Sequence, residues 1–480
     1  MDMTSPTEMP TEMPTVIAAA AAVRSGAVTA VELTLRCLAA IGEGNPALNA
    51  FVHLDPDGAL ATAVAVDATV SSGRLNELGP LAGVPFGVKD LEDCAGMPTT
   101  RGSRWFAGQA PVEFDDIHVA RLRAAGAIPV GKTATPEFGA WAYTASPALG
   151  VTRNPWNLGR TPGGSSGGSS AAVSAGLVPF CTASDGGGSI RTPAGFTGLV
   201  GLKPSFGRIP TFGVTHVAQN AVVGSLATTV ADVALLLDVM AGPDERDRTC
   251  LPASGVRYSE AIHRLDLGDL RVGWSADLGF AVVEPEIVAL CERAAHVLVE
   301  ATGATLVHRP VLLRDYISIY GRIEGVDQFV GLDRDLWQDR LDELDPRVVS
   351  GWTRVRHVTL PKIAGVESER RRLVTQIAAI FEHVDLLVTP MSTMAAFAAE
   401  GPMPTEVNGR QVHGGMAVIH GMLANLANLP AISVPAGLTA DGLPIGLQII
   451  GPRHREDLVL AAAHRFEVAA PWPRHCPSAR

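Results

Sequence analysis

Two glycine-rich runs that contain serine constrain the fold of this chain more than any other sequence feature. The first is a glycine–serine tract at residues 163–170, and the second is a run of three glycines and a serine at residues 186–189. The segment after the first run, residues 171–178, is rich in Ala, Val and Leu and is of the kind that becomes buried. A flexible linker has a similar glycine–serine composition, but no compositional break borders this tract. We therefore expect both runs to belong to a folded core.

Glycines at this density let backbone N–H groups approach a bound atom closely, in conformations that other residues avoid. A run of three glycines and a serine can gather such donors around an anion or an oxyanion. A phosphate-binding P-loop also needs a lysine followed by Ser or Thr at its end, and no lysine stands there. The dinucleotide-binding fingerprint has a glycine spacing that fits poorly here. The pattern favours serine chemistry.

The first tract also contains the GxSxG pattern of the nucleophile elbow of α/β-hydrolases, centred on Ser165. An elbow follows an apolar strand, whereas residues 154–162 are polar and include two prolines. It also needs a downstream acid and a histidine, and the candidate histidines have no distinguishing context: His216, His308, His413 and His420. The elbow is kept as an alternative.

A lysine ends an apolar run upstream of both tracts, where residues 81–88 lead into Lys89. Lysine is rare in this chain, which has four: Lys89, Lys132, Lys203 and Lys362. A lysine at the end of an apolar strand can lose its hydration, which lowers its pKa and lets the neutral amine act as a base. The alternative is a side chain that snorkels to the surface, and Lys89 taken alone favours that alternative.

Taken together, these stretches resemble the amidase signature family of serine hydrolases. The resemblance covers nearly the whole chain after about residue 15, and its motifs occur in order at residues 83–90, 161–169, 184–191, 198–204, 428–435 and 442–448. It implies an α/β fold: a single large domain, residues 16–480, with a mixed β-sheet core covered by helices on both faces. It also implies that a variable, mainly helical section at about residues 312–381 shapes the substrate pocket.

The resemblance implies a catalytic trio of the Ser–cis-Ser–Lys type. Matched residue by residue, the nucleophile falls on Ser189, the bridging serine on Ser165 and the base on Lys89. The peptide bond before the bridging serine, Gly164–Ser165, is then expected to be cis. Backbone N–H groups of the second run, together with that of Ser189, would form the oxyanion hole: Gly186, Gly187 and Gly188.

Two neighbours of the trio have alternative roles. We expect Ser166 to support the site by hydrogen bonding rather than to carry a proton. Arg191 could bind a substrate carboxylate or pair with Asp185 to hold the loop, and we favour the pairing. Five aromatic residues could line a pocket suited to an aryl or otherwise apolar acyl group, although core packing is their commoner role: Trp141, Tyr143, Trp156, Tyr316 and Tyr320.

Predicted strands and helices alternate, which is typical of a layered α/β fold. The clearest predictions are strands at residues 81–88, 127–132, 270–274, 305–308, 385–390, 431–435 and 444–451, and helices at 16–41 (two), 115–125, 229–240, 285–302, 418–429 and 455–469. Residues 1–15 are polar, contain a repeated Thr-Glu-Met-Pro and are expected to form a flexible arm. They lack the features of a secretory signal.

Composition excludes several classes of protein. The net charge of −11 argues against a nucleic-acid or anionic-membrane surface, and no apolar stretch is long enough to span a bilayer. Six scattered cysteines without a CxxC pair support neither a zinc site nor a disulfide framework and favour a reducing cytoplasm. We expect no cofactor and no metal. The Ala, Gly and Arg content is typical of a GC-rich bacterial genome.

The resemblance implies an amidase that cleaves a carboxamide or related C–N bond, such as an acyl hydrazide, of a small apolar or aryl substrate through a Ser189 acyl-enzyme. One alternative is the glutamine-hydrolysing component of a tRNA-dependent amidotransferase. That component usually has an Asp-Gln pair where this chain has Ala221-Val222, and a basic residue near Thr228 is also missing. A catalytically inactive binding protein of the same fold is a further alternative. Dimers are common in the family, so a homodimer stays open.

Overall fold

A computed structural model describes residues 12–212, 219–330 and 337–477. Within these ranges the strands are β1 (Phe51–Leu54), β2 (Pro85–Lys89), β3 (Ile128–Thr133), β4 (Ala145–Ser146), β5 (Gly150–Val151), β6 (Phe180–Asp185), β7 (Val200–Lys203), β8 (Val222–Ala227), β9 (Arg271–Trp274), β10 (Thr305–Val307), β11 (Leu386–Pro390), β12 (Glu406–Val407), β13 (Arg410–Gln411), β14 (Ala431–Leu438) and β15 (Pro444–Ile450).

The α-helices of the same ranges are α1 (Val16–Ser25), α2 (Ala30–Leu48), α3 (Pro56–Ser71), α4 (Ile117–Ala124), α5 (Gly167–Ser174), α6 (Arg191–Thr197), α7 (Val230–Met240), α8 (Tyr258–Arg264), α9 (Pro285–Thr302), α10 (Ile317–Val330), α11 (Pro346–Val355), α12 (Leu360–Phe381), α13 (Ile419–Leu426) and α14 (Glu456–Ala469). No helix in the described ranges combines the length and the apolar character that a membrane span requires.

Eleven of the described strands form one mixed sheet in the order β1-β3-β2-β6-β8-β7-β14-β15-β11-β9-β10. Strand β2 is parallel to both of its neighbours, β3 and β6. Strand β8 is antiparallel to β6, and β15 is antiparallel to both β14 and β11. With helices on both faces, this mixed sheet confirms the predicted α/β fold class.

The segment between the two glycine runs is an internal helix followed by a strand of the sheet. Every residue of α5 is buried, because this helix consists of Gly, Ser, Ala and Val and can pack closely against β2 and β6. Strand β6 then carries the chain back through the sheet to the second run, and all but one of its residues are buried. The glycine–serine tract is therefore part of the core, and the linker interpretation is wrong.

The end of the predicted N-terminal arm is attached to the domain. Residues 1–11 lie outside the described residues, so for them the arm stays a prediction. Met13 is buried, and the Thr15 hydroxyl accepts a hydrogen bond from the Ala18 N–H as the N-cap of α1. Residues 12–15 therefore belong structurally with the helix that follows them.

The section expected to vary, residues 312–381, contains helices α10, α11 and α12. Apolar residues of α10 and α12 join α13 in a hydrophobic cluster that is separate from the main core, and it includes Ile317, Ile323, Leu373, Ile377 and Leu423. All three helices also contribute residues to one large cavity, described below. Their placement follows from this cluster, because it fixes α10 and α12 against the helix α13 that precedes the central strand β14.

Candidate active site

Lys89 is the last residue of β2, and its side chain is fully buried. The snorkelling alternative is therefore wrong. Its Nζ atom lies 2.8 Å from Ser165 Oγ, 2.8 Å from Ser166 Oγ and 2.9 Å from Ser184 Oγ. The strand end thus brings the lysine into contact with hydroxyls from the first glycine run and from the residue just before Asp185.

The surroundings of the Lys89 amine favour its neutral form. Burial lowers the pKa of Lys89 to about 7, although the carboxylates of Glu92 and Asp185 act in the opposite direction. Ammonium and amine forms therefore coexist near pH 7. The neutral amine has a lone pair that can accept a proton from a hydroxyl at hydrogen-bonding distance.

Ser165 follows a cis peptide bond from Gly164, as the resemblance implies. The residue before Ser165 has to be glycine, because a Cβ on Gly164 would lie 2.6 Å from the backbone of both Trp141 and Tyr143. Ser165 itself is almost fully buried. Close backbone packing on one side and Lys89 on the other therefore fix the position of its hydroxyl.

The other two hydroxyls around Lys89 belong to Ser166 and Ser184. Ser166 Oγ donates to the Ser184 backbone carbonyl at 3.3 Å and accepts from the Ser184 N–H at 3.4 Å. Because its proton is engaged there, Ser166 Oγ accepts from Lys89, as a supporting residue would. The contact of Ser184 with Lys89 is one that the sequence reasoning missed.

Asp185 and Arg191 close the loop that holds the second glycine run. Arg191 Nε lies 2.9 Å from Asp185 Oδ2, and Arg191 Nη2 lies 2.8 Å from Asp185 Oδ1. Both side chains are fully buried. Burial alone would raise the pKa of Asp185, but the Arg191 guanidinium holds it far below its ordinary value. The predicted structural role of Arg191 as the partner of Asp185 is confirmed.

Asp185 also binds the backbone of the run itself. Its carboxylate accepts from the Gly188 N–H at 2.7 Å and from the Ile190 N–H at 3.2 Å. Within the described residues, the N–H groups of Gly186, Gly187 and Ser189 donate to no protein acceptor. The Gly188 N–H is therefore committed to Asp185, and three of the four expected donors remain open to a bound group.

Both glycine runs line a cavity of about 1040 Å³. Gly164 comes from the first run, and Gly187, Gly188 and Ser189 come from the second. The remaining wall is formed by residues 139–142, by helices α10, α11 and α12, and by the segment that leads into α13. Gly164, the residue before Ser165, and Ser189 thus line the same space.

Two of the five singled-out aromatic residues, Trp141 and Tyr320, line this cavity. Tyr143 and Tyr316 are buried in hydrophobic clusters. Trp156 donates its indole N–H to the Thr197 carbonyl at 2.9 Å and does not line the cavity. Tyr143, Trp156 and Tyr316 therefore pack within the protein and do not form the cavity wall.

The nucleophile-elbow alternative is wrong. Residues 154–164, which immediately precede Ser165, form only isolated bridges, at Asn154 and Arg160, instead of a strand. The hydrogen-bonding partner of Ser165 is Lys89, and none of the described histidines bonds to it. His420 is buried, and burial lowers its pKa to about 4. His216 lies outside the described residues.

Comparisons with known proteins agree with this geometry. The sequence model of the amidase family matches residues 32–460. An acylamidase of Rhodococcus erythropolis is 35% identical, and the match covers 96% of this chain and 96% of the acylamidase. The glutamyl-tRNA(Gln) amidotransferase A component of Chloroflexus aggregans is 36% identical, with 96% of this chain and 97% of that protein covered.

A solved structure extends the agreement to three dimensions. The structure of a bacterial aryl acylamidase of the amidase signature family matches this fold with a TM-score of 0.88 and 27% identity, covering 97% of this chain and 98% of the aryl acylamidase. The match of the family model to most of the chain, and the shared fold, both agree with the ordered motifs. The chain belongs to the amidase signature family, whose members are hydrolases of C–N bonds.

Proposed function

We propose that this protein is an amidase that hydrolyses a carboxamide or an acyl hydrazide with an apolar or aryl acyl group, through an acyl-enzyme on Ser189. One observation carries the proposal. The buried Lys89 amine, with its pKa of about 7, hydrogen-bonds to Ser165 beside the cavity that Ser189 lines. A neutral amine in contact with a serine hydroxyl is the arrangement that proton removal from a nucleophilic serine requires.

In the first step Ser189 Oγ attacks the carbonyl carbon of the amide. Its proton passes to Ser165 Oγ while the Ser165 proton passes to Lys89 Nζ, so that Lys89 becomes an ammonium and Ser165 stays neutral. Ser165 can do this because a hydroxyl donates one hydrogen bond while it accepts others. The carbonyl oxygen gains the negative charge.

The N–H groups of Gly186, Gly187 and Ser189 are the proposed donors to that oxyanion. Gly188 contributes less directly, because its own N–H is bonded to Asp185. Losing one well-placed donor typically costs about 3 kcal/mol of transition-state stabilisation. The Asp185–Arg191 pair would keep the three donors in place by holding both ends of the run.

Collapse of the tetrahedral intermediate breaks the C–N bond and leaves an ester on Ser189. The leaving nitrogen takes the proton back from Lys89 through Ser165, which returns the lysine to its neutral form. Water then attacks the ester and is deprotonated along the same route, and the acid and free Ser189 are released. Lys89 thus acts first as a base and then as an acid in each half-reaction.

The preference for an apolar acyl group is supported by the cavity walls. Trp141, Ile317, Val418 and Met422 line the space next to the glycine runs. The Ala221 Cβ lies 3.8 Å from the place where a Cβ on Gly186 would stand, so position 221 presents a methyl group beside the proposed oxyanion donors. Relatives named acylamidase and aryl acylamidase are consistent with this preference.

The proposal is tested with a panel of alkanoyl and aryl amides, anilides and hydrazides. We expect turnover of at least one apolar anilide or hydrazide, and an acyl adduct of matching mass on the protein after acid quenching. The Ser189→Ala variant should lack both. If the folded wild-type protein turns over no member of the panel and carries no adduct, the binding-protein alternative is favoured instead.

The glutamine-hydrolysing component of the amidotransferase is the second candidate, because a relative with that name is 36% identical over nearly the whole chain. Its reaction would release ammonia from glutamine. The replacement of the usual Asp-Gln pair by Ala221-Val222 argues against recognition of a polar amino acid at this point. Ammonia release from glutamine that exceeds turnover of every apolar amide would establish the second candidate over the first.

A further inference from the structure

Helix α11 has a glycine in its interior that faces the cavity. Gly351 lies in the middle of α11 and lines the cavity wall. Glycine is unfavourable in a helix interior, because it loses more conformational freedom on folding than alanine does. Among the described residues, no atom lies within 4 Å of the place where a Cβ on Gly351 would stand. Close packing against the described chain therefore does not account for this glycine, and its effect is to leave space in the cavity.

Helix α11 runs along the cavity from the glycine runs towards the exposed side. Near its start, the Arg347 guanidinium lies 5.6 Å from the centre of the Trp141 ring, and the Trp141 backbone packs against Gly164 of the first run. Near its end, Arg354 is exposed and still lines the cavity. At a rise of about 1.5 Å per residue, the wall from Arg347 to Val355 is about 12 Å long. The cavity thus has an inner end at the glycine runs and an outer end at the close of α11.

The wall between these two ends is apolar. On α11 it consists of residues with the spacing of one helix face: Val348, Gly351, Trp352 and Val355. Helices α10 and α12 add further apolar side chains: Ile317, Ile323, Ile363 and Val366. The charged residues of the wall lie at the ends, with Arg347 and Glu324 beside the glycine runs and the others exposed. A ligand that follows α11 therefore passes mainly apolar surface.

The size of the cavity indicates how long such a ligand is. Its volume of about 1040 Å³ is at the upper end of pockets that enclose a drug-sized ligand, about 300–1,000 Å³. An acetyl or benzoyl group on Ser189 would leave most of the α11 wall uncovered. An extended chain advances about 1.2 Å per bond, so about ten bonds match the length of this wall.

We propose that the substrate is an amide with an unbranched apolar acyl chain of about eight to ten carbons, which lies along α11 past Gly351. The inference rests on the proposed function, because that function places the acyl carbon at Ser189. It assigns Gly351 as a specificity-determining residue, since the missing side chain leaves the space through which the chain passes. The steps at Lys89, Ser165 and Ser189 are the same for short and long acyl groups.

The test uses a series of n-alkanoyl 4-nitroanilides, from acetyl to decanoyl, each below the concentration at which it aggregates. We expect kcat/KM of the wild-type protein to rise by about 4-fold per added methylene, mainly through KM, because each methylene moves from water to the apolar wall. The octanoyl compound should therefore exceed the butanoyl compound by about 100-fold or more. A constant kcat/KM from butanoyl to octanoyl would overturn the inference.

Three glycine variants test the path of the chain. Gly351→Leu should reduce the octanoyl-to-butanoyl ratio of kcat/KM by about 30-fold, because the new side chain occupies the proposed path. Gly365→Leu on α12 is a second cavity variant with the same expected direction, since an added Cβ there also has no described atom within 4 Å. Gly42→Leu is the matched control on α2, with the same open surroundings but outside the cavity wall, and should keep the wild-type ratio. An unchanged ratio in both cavity variants would show that the chain does not follow this path.

A binding measurement separates this inference from the proposed function. On Ser189→Ala protein, titration calorimetry should show that octanamide binds about 100-fold more tightly than butanamide, and adding Gly351→Leu should remove most of this difference. This result does not depend on turnover. If short anilides are cleaved but neither kcat/KM nor binding rises with chain length, the chain inference is overturned and the amidase proposal stands. If no anilide is cleaved, the titration alone decides the inference.

Discussion

Lys89 and Lys203 share two properties and differ in a third. Both side chains are fully buried, and burial lowers the pKa of each to about 7. Lys89 Nζ contacts three serine hydroxyls, and one of these serines, Ser165, directly follows the cavity-lining residue Gly164. Lys203 Nζ donates to the Pro204 carbonyl at 2.7 Å, and the nearby Arg191 guanidinium lowers its pKa further.

The different contacts of the two lysines show that a catalytic base has to meet two separate requirements. A lowered pKa supplies a neutral amine near pH 7, and both lysines meet that requirement. Proton transfer also needs a hydroxyl relay that ends at a reactive atom, and the structure supplies hydroxyls at Lys89 and a backbone carbonyl at Lys203. We therefore propose the catalytic role for Lys89 and a structural role for Lys203.

The largest expected effect is on catalysis. Lys89→Met should lower kcat/KM for an apolar anilide by about 1000-fold or more, because it removes the proton acceptor while keeping the length of the side chain. Lys203→Met should change kcat/KM by less than about 5-fold, since the substitution leaves the proposed relay intact. Steady-state kinetics on both folded variants measure the contrast. Equal losses of kcat/KM in the two variants would contradict the different roles proposed for Lys89 and Lys203.

The second prediction compares the three hydroxyls around Lys89. Ser165→Ala should cost about 100-fold or more in kcat/KM, because it interrupts the proposed path between Ser189 and Lys89. Ser166→Ala and Ser184→Ala should each cost less than about 10-fold, since each removes one supporting hydrogen bond to the amine. The same anilide assay serves all three variants. A larger loss at Ser184 than at Ser165 would move the relay to Ser184.

The third prediction concerns pH. Lys89 must be neutral to accept a proton, so kcat/KM should rise with pH through about 7 and fall about 10-fold per pH unit below it. Lys203→Met should leave this profile in place, because Lys203 is not part of the relay. The profile should be measured with a substrate that does not itself titrate. A midpoint that moves in Lys203→Met would show that the wrong lysine has been assigned.

The smallest expected effect is on stability. The unfolded chain binds a proton at Lys203 up to pH 10.5, whereas the folded protein loses it near pH 7. Between these values the unfolded state holds more protons, so stability rises with pH there. The slope of the unfolding free energy should be smaller in Lys203→Met by up to about 1.4 kcal/mol per pH unit. Urea unfolding at several pH values measures it, and an unchanged slope would argue for a charged Lys203 in the folded state.

Much of this organisation could be predicted from the sequence, because it depends on local signals. Helix α9 has its predicted bounds, residues 285–302, since Pro285 starts it and Gly303 ends it in the left-handed region. Helix α7 follows its N-cap Thr229 as expected. The pairing of Asp185 with Arg191 was also predictable, because the two residues are close in the chain and flank the glycines.

Other features differ from the prediction or were not predicted at all. Helix α2 continues past its predicted end at Ile41 to Leu48, because Asn45 and Asn49 satisfy its last turn. The predicted start of a helix at Val418 is instead the end of a 3-10 segment, and α13 begins one residue later. The position of Glu324 over Gly186 depends on how α10 packs against another part of the chain.

Several expectations stay predictions. The roles of Lys89, Ser165 and Ser189, the oxyanion donors and the choice of substrate belong to the proposed function. The division of the chain into a flexible arm and one domain stays a prediction, as do the cytoplasmic location and the homodimer. The absence of a cofactor and of a metal is likewise an expectation from the sequence.

The central claim is that Lys89 activates Ser189 through Ser165. Its most direct test is the rate at which a fluorophosphonate modifies the protein near pH 8, followed by intact mass. We expect one adduct on the wild-type protein and none on Ser189→Ala. Lys203→Met should react at nearly the wild-type rate, and Lys89→Met should react about 1000-fold more slowly. Rapid modification of Lys89→Met at Ser189 would contradict the account.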